Sequence, residues 1–210
     1  TFDGLLEGCV GLIHTATPIE IPLDGSPPSN PEETQIKPAV EGTATLLKAA
    51  ARHGVRRVVL TSSIAAMRVS KEPPKLFNEE CWSDVSLLRS RLHTFGPAAY
   101  CLAKTLQEQE ATRLCEALGL KLCVVNPALV IGPTLTPNNQ NFSLLALAQL
   151  ASGRGGSGLD TCRHGHVPDI IKGFVDVREV SEAHVRALLD PRASGRYLLQ
   201  SHWAHYHDVA

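Results

Sequence analysis

Three residues in this chain have the types and spacing to do chemistry together: Tyr100, Lys104 and one serine of Thr61-Ser62-Ser63. In Tyr100-Cys101-Leu102-Ala103-Lys104 the phenol and the ammonium lie four residues apart, which puts them on one face of a helix. A lysine ammonium beside a phenol favours the phenolate and lowers the tyrosine pKa. A tyrosine tuned in this way can give a proton to a carbonyl oxygen near neutral pH. A hydroxyl from Ser62 or Ser63 could hold that oxygen, and a hydride carrier would complete a carbonyl reduction. Each part also has a plainer reading. Tyr100 and Lys104 could be a surface pair, and Thr61-Ser62-Ser63 could be a turn or a helix cap. His14 reads as a hydrogen-bonded core histidine, and Asp176 with Arg178 as a structural ion pair or cap. His202, His205 and His207 read as a loose exposed cluster and not as a metal site, since no carboxylate or Cys shares their spacing.

These residues need elements to position them. Val10 to His14 is a short apolar run that ends at Thr15-Ala16-Thr17-Pro18, which predicts a buried strand feeding a loop. A proline-rich loop occupies 21–31. Residues 33–53 carry Ile36, Val40, Thr43, Leu47 and Ala50 at helical spacing, and Gly54 is the expected left-handed stop. Arg56 to Ser63 reads as a second strand ending in hydroxyls, and 68–95 as an irregular surface excursion. Tyr100 to Leu118 predicts a strongly amphipathic helix stopped by Gly119. Lys121 to Pro127 predicts a third strand, and a helix covers 143–151. The stretch 152–169 is Gly/His-rich, with Gly153–Gly158 its low-complexity part. Phe174 to Val177 is short and extended, Ser181 is a plausible N-cap for a helix through Leu189, and Gly195 to Leu199 is a last strand. Strand and helix alternate, with Val-rich strands following Gly-terminated helices, as in a parallel sheet covered on both faces. Ligands bind such sheets at the carboxyl ends of the strands. Those ends carry Thr15 to Pro18, Thr61 to Ser63 and Asn126 to Val130, which offer small hydroxyls and backbone.

Composition narrows the classes. The 210 residues are 43% hydrophobic and 20% charged, with a formal net charge of −1, which excludes collagen, coiled coil and wholesale disorder. No basic excess points to nucleic acid or to an anionic membrane, and no apolar run approaches a membrane span. The first twenty residues contain Asp3, Glu7 and Glu20 and lack the basic head of a signal peptide. The six cysteines form no CxxC pair and read as reduced thiols in a cytoplasmic protein.

In this order the motifs resemble the extended short-chain dehydrogenase/reductase superfamily. More narrowly, they are similar to its branch of dihydroflavonol 4-reductases, cinnamoyl-CoA reductases and related carbonyl reductases. The resemblance runs through Phe2 to Cys9, Gly11 to Pro18, Ile36 to Thr43, Arg56 to Ser63, Trp82-Ser83-Asp84, Tyr100 to Leu106, Asn126 to Pro133, Phe174 to His184 and Gly195 to Leu199. It implies an α/β fold: a Rossmann-type doubly wound parallel sheet lacking its N-terminal strands, with part of a small C-terminal substrate lobe. Residues 1–210 would be one partial NAD(P)-binding reductase domain, with 134–173 and 190–210 contributing to that lobe. Ser63, Tyr100 and Lys104 take the catalytic positions, Tyr100 as general acid and Lys104 lowering its pKa and bonding the nicotinamide ribose, and Tyr100 and Lys104 also count among the cofactor-binding residues. Thr15, Ala16 and Thr17 match the loop that lines the cofactor, Pro127, Ala128, Leu129 and Val130 the segment at its carboxamide end, and Ser143 lies near a phosphate-side serine. The implied cofactor is NADP(H), with NAD(H) as the alternative. The implied partner is a small carbonyl substrate with an aromatic or hydrophobic body.

The chain also departs from that pattern. It contains no G-x-x-G-x-x-G, the turn that holds a pyrophosphate at a helix N-terminus. By the resemblance, about three strands and two helices of the dinucleotide half are missing. Without a strand beside residues 10–14, the 210-residue chain is expected to be marginal alone and to bind dinucleotide weakly. Three readings remain at this stage: a carbonyl reductase, a nucleotide-sugar epimerase/dehydratase or sterol dehydrogenase, and a non-catalytic remnant.

Overall fold

The computed structural model describes residues 2–20, 26–135, 142–151, 171–205 and 208. Four strands form a fully parallel sheet: β1 (Leu12–His14), β2 (Arg57–Thr61), β3 (Lys121–Pro127) and β6 (Gly195–Leu199), in the order β1-β2-β3-β6. Strands of a sheet covered on both faces read as continuous apolar runs, and alternate residues face opposite layers. Val58, Leu60 and Val124 face one layer, where they meet Leu47 of α1 (Lys37–Arg52) and Ala111, Leu114 and Cys115 of α3 (Ala98–Leu118). Val59, Cys123 and Val125 face the other, against Ala187 of α5 (Val177–Leu189). The doubly wound architecture expected from the sequence is present. β1 is an edge strand, with Ile13 partly exposed and Val10 just before it almost fully so.

The helices begin and end where local chemistry dictates, with some corrections to the sequence reading. α1 follows a π-helical turn at Glu32–Ile36 and carries Pro38 in its first turn, where a missing N–H costs nothing. Gly119 closes α3 at φ 66°, and Leu120 N–H reaches back to the Cys115 carbonyl at 2.8 Å. The first half of α3 is more deeply buried than the amphipathic helix expected. From Ala98 to Glu108 nearly every side chain is buried. The sheet covers one side, and α1, the π-helical turn and α2 (Val85–Ser90) cover the other. That α2 lies within the supposed irregular excursion, N-capped by Asp84, which accepts the Leu87 N–H at 2.9 Å. α5 starts at Val177 and not at Ser181. Asp176 is its N-cap, accepting the Arg178 N–H at 2.7 Å, while Ser181 Oγ donates to the Val177 carbonyl inside the helix. Arg178 also pairs with Asp176, as the sequence suggested.

A second sheet stands beside the carboxyl end of β3. β4 (Leu129–Ile131) pairs in parallel with β5 (Ile171–Asp176), which pairs antiparallel with β7 (His202–His205); a helix, α4 (Phe142–Ala151), lies between β4 and β5 in sequence. Leu129 and Val130, which follow the third strand, thus form a strand of their own. His202 and His205 are strand residues paired across to Phe174 and Ile171, not a loose terminal cluster. Two residues separate β6, in the main sheet, from β7, in the second. His207, Cys162 and the glycines 153–158 lie outside the described residues. Among the described residues no three His, Cys, Asp or Glu side chains form a group that could hold a metal, and no helix is long and apolar enough to cross a membrane. Cys101, Cys115 and Cys123 are buried and in no disulfide, and burial pushes Cys115 up to about 11.

Candidate active site

The ends of β1, β2 and β3 open into a cavity of about 650 Å³. Ser63, Tyr100 and Lys104 all line it, so the tertiary structure brings the three residues to one cavity. Thr15 and Thr17 line one side, Pro127 to Val130 another, and Ser143 of α4 a third. Ala16 is the exception among the expected residues. It does not line the cavity, and what it contributes is a carbonyl that accepts from Gln107 Nε2 at 3.3 Å.

Each of the three is held in place by its element. Ser63 follows β2 in extended backbone and caps a short 3-10 turn, Ile64–Ala66, its Oγ accepting the Ala65 N–H at 3.1 Å. The plain reading of this residue as a cap holds, and the same residue lines the cavity. Its hydroxyl is close enough to the Tyr100 phenol to hold that group's pKa down. Tyr100 sits in the first turn of α3, and Lys104 follows one turn later, buried. Lys104 Nζ donates to Thr17 Oγ1 at 2.6 Å, to the Thr61 carbonyl at 2.9 Å and to Gln107 Oε1 at 3.3 Å.

The electrostatics differ from the expectation. Burial pushes the Tyr100 phenol up to about 12, and the neighbouring Cys101 adds to this; the Ser63 hydrogen bond and, less strongly, the Arg68 charge pull it back. Lys104 has no part in this shift, because its ammonium is directed at Thr17, Thr61 and Gln107. Burial pushes Lys104 itself down to about 7, against the opposing charge of Glu108. The pair is thus a neutral phenol and an ammonium that titrates near neutrality.

Beneath the cavity lie two polar networks that motif reading missed. In the first, Gln107 Nε2 donates to Thr43 Oγ1 at 2.9 Å while its Oε1 accepts from Thr17 and Lys104, and His14 Nε2 shares a 2.8 Å bond with Thr43. His14 is the hydrogen-bonded core histidine expected. Burial, together with the Lys104 charge, pushes it down to about 4. Unfolded, the same group takes its proton near 6.5. Between those values the unfolded chain binds more protons, so stability falls as the pH drops from about 6.5 to about 4. His14→Gln should flatten that acid slope, measured as urea midpoints against pH; an unchanged slope would assign it to other groups.

In the second network, Glu108 is fully buried and accepts from Ser62 Oγ at 2.5 Å, Asn126 Nδ2 at 3.0 Å and the Arg196 guanidinium. Asn126 also donates to the Ser63 carbonyl at 3.3 Å. Arg196 reaches the Glu79 and Cys81 carbonyls and stacks over the Trp82 ring at 3.9 Å. Gln107 and Glu108 were findable, since they sit three and four residues beyond Lys104 on the same helix. Nothing local marks Arg196, which comes from another strand.

The chain's relatives share this arrangement of elements. Residues 24–198 match the NAD dependent epimerase/dehydratase family. Tetraketide alpha-pyrone reductase 2 of Arabidopsis thaliana is 35% identical, over all of this chain and 60% of that protein. Cinnamoyl-CoA reductase 1 of the same plant is 34% identical, over 97% of this chain and 53% of that protein. The chain thus spans a little over half the length of these curated relatives. Among solved structures, the yeast methylglyoxal/isovaleraldehyde reductase complexed with NADPH superposes with a TM-score of 0.80 at 25% identity, over 99% of this chain and 62% of that one. Vestitone reductase from alfalfa gives 0.75 at 27%, over 99% and 59%. Sequence, strand order and the convergence of Ser63, Tyr100 and Lys104 agree: the chain belongs to the NAD dependent epimerase/dehydratase family, in its branch of dihydroflavonol- and cinnamoyl-CoA-reductase-like proteins.

Proposed function

We propose that this chain carries the catalytic half of an NADP(H)-dependent carbonyl reductase, acting on a ketone, aldehyde or acyl-CoA group attached to an aromatic or hydrophobic body. The observation that carries the reading is that Ser63, Tyr100 and Lys104 line one cavity at the carboxyl ends of parallel strands. The apolar lining from Ile19, Ile64, Leu129 and Leu145 suits such a body. The second sheet and α4, on the far side of this cavity, would belong to the substrate lobe.

The residues present fit the nicotinamide–ribose end of the cofactor. They offer a buried ammonium, the hydroxyls of Thr15 and Thr17, and the backbone of Pro127 to Val130. They do not supply a glycine-rich turn for the pyrophosphate. When bound, the cofactor supplies the hydride. Ser63 holds the carbonyl oxygen through its hydroxyl, which already faces the phenol. Tyr100 stays protonated across the physiological range and gives its proton to the oxygen as charge develops there. A phenol near 12 still transfers downhill to an alkoxide, which is a much stronger base than a phenolate. Lys104, charged below about pH 7, positions Thr17 and the end of β2 and offers its ammonium to a ribose hydroxyl.

The test uses a polypeptide that supplies a glycine-rich turn ahead of these residues. It should oxidise NADPH, in preference to NADH, when given benzaldehyde, acetophenone or an aromatic acyl-CoA. NADPH that binds without being oxidised by any carbonyl, together with interconversion of nucleotide-sugar epimers, would replace this reading with the epimerase one. Failure to bind NADPH at all would leave a non-catalytic protein.

A further inference from the structure

We propose that Arg68 and Arg91 form an anion subsite at one end of the Tyr100 cavity, so that the preferred carbonyl substrate carries a carboxylate or phosphate away from its carbonyl group. This rests on the reductase reading above and names the substrate's charge.

A second, shallower cavity of about 250 Å³ is lined by Arg68, Val69, Ser70, Arg91 and Phe95. Arg68 lines both cavities, which makes it the wall they share. Its charge is close enough to act on the Tyr100 phenol. Among the described residues neither guanidinium has an ion-pair partner, whereas the neighbouring Arg89 pairs with Glu32, and Arg113, Arg178 and Arg186 pair with acids on their own helices or caps. Arg91 is exposed and Arg68 half-buried, and two like charges lining one hollow favour an anion between them. A forked guanidinium matches carboxylate and phosphate oxygens, and such charge-assisted bonds are stronger than neutral ones. Phe95 and Val69 supply an apolar wall for the carbon skeleton that joins the anion to the carbonyl.

The test compares three ketones by calorimetric titration of the polypeptide that supplies the glycine-rich turn: 4-acetylbenzoate, its neutral methyl ester, and 4-acetylphenyl phosphate. One or both anions should bind about tenfold tighter than the ester, and the preference should shrink with salt. Arg91→Ala and Arg68→Ala should each remove most of it, and Arg91→Lys should keep part, which separates charge from folding. The tighter of the two anions identifies the headgroup. Equal binding of acid, phosphate and ester overturns the anion subsite while leaving the carbonyl pocket in place. So does a preference that survives both alanine variants. If no ketone binds, the pocket reading falls and the subsite falls with it.

Discussion

Tyr100→Phe should lower turnover of a carbonyl substrate by roughly 10²–10⁴-fold, the range for losing a positioned general acid, while leaving NADPH affinity nearly unchanged. Among the described residues that line the cavity, the phenol is the group that sets a transferable proton beside the Ser63 hydroxyl. Phe keeps the ring's volume, so the start of α3 and the cavity wall should persist. The measurement is single-turnover oxidation of NADPH with an aromatic aldehyde, alongside a fluorescence titration of the nucleotide. Turnover within threefold of the parent would remove Tyr100 from the mechanism. Activity should also persist to high pH on the tyrosine side, because a phenol near 12 remains protonated there. Any alkaline loss starting near pH 7 would then report the Lys104 ammonium, whose buried charge is lost in that region.

Arg196→Leu should cost about 3–5 kcal/mol of stability, the range for breaking a buried ion pair by removing one partner. Glu108 has no exposed surface, and the Arg196 guanidinium is the cation it contacts. Without it the buried carboxylate loses its ion-pair partner, and Ser62 and Asn126 would then rearrange around it. The double variant Glu108→Leu/Arg196→Leu should recover much of the loss, since removing both partners is often close to neutral. Urea unfolding of the single and double variants measures the coupling directly. A single-variant loss below 1 kcal/mol would show that the pair is dispensable. The network also predicts where damage appears first. Asn126 holds the Ser63 carbonyl and Ser62 precedes Ser63, so a survivable change such as Glu108→Gln should lower kcat more than it raises KM.

Several features were legible residue by residue. β2 and β3 announced themselves as Val-rich runs after Gly-terminated helices, and Gly54 and Gly119 do close those helices at positive φ. His14 was readable as a satisfied core residue because an apolar strand carried it inward. Other features were not legible for a definable reason. Ser181 looked like an N-cap, but Asp176 was better placed, and capping is decided by which side chain reaches an orphan amide. Leu129, Val130, His202 and His205 gave little strand signal because β4 and β7 are short and depend on β5 for pairing. α3 seemed amphipathic because Lys104, Gln107 and Glu108 are polar; they are buried polar residues with partners from other elements.

The amino-acid order by itself determined the alternating βα elements, the family resemblance and the identity of Ser63, Tyr100 and Lys104 as candidates, because periodicity, caps and a four-residue helical spacing are local properties. Only the tertiary structure decided that the phenol is made less acidic rather than more, that Lys104 serves Thr17 and Gln107, and that Arg196 neutralises Glu108. Burial and long-range charge depend on what other elements bring to a site, and residues such as Glu108 and Arg196, 88 positions apart in the chain, meet only after the sheet has formed.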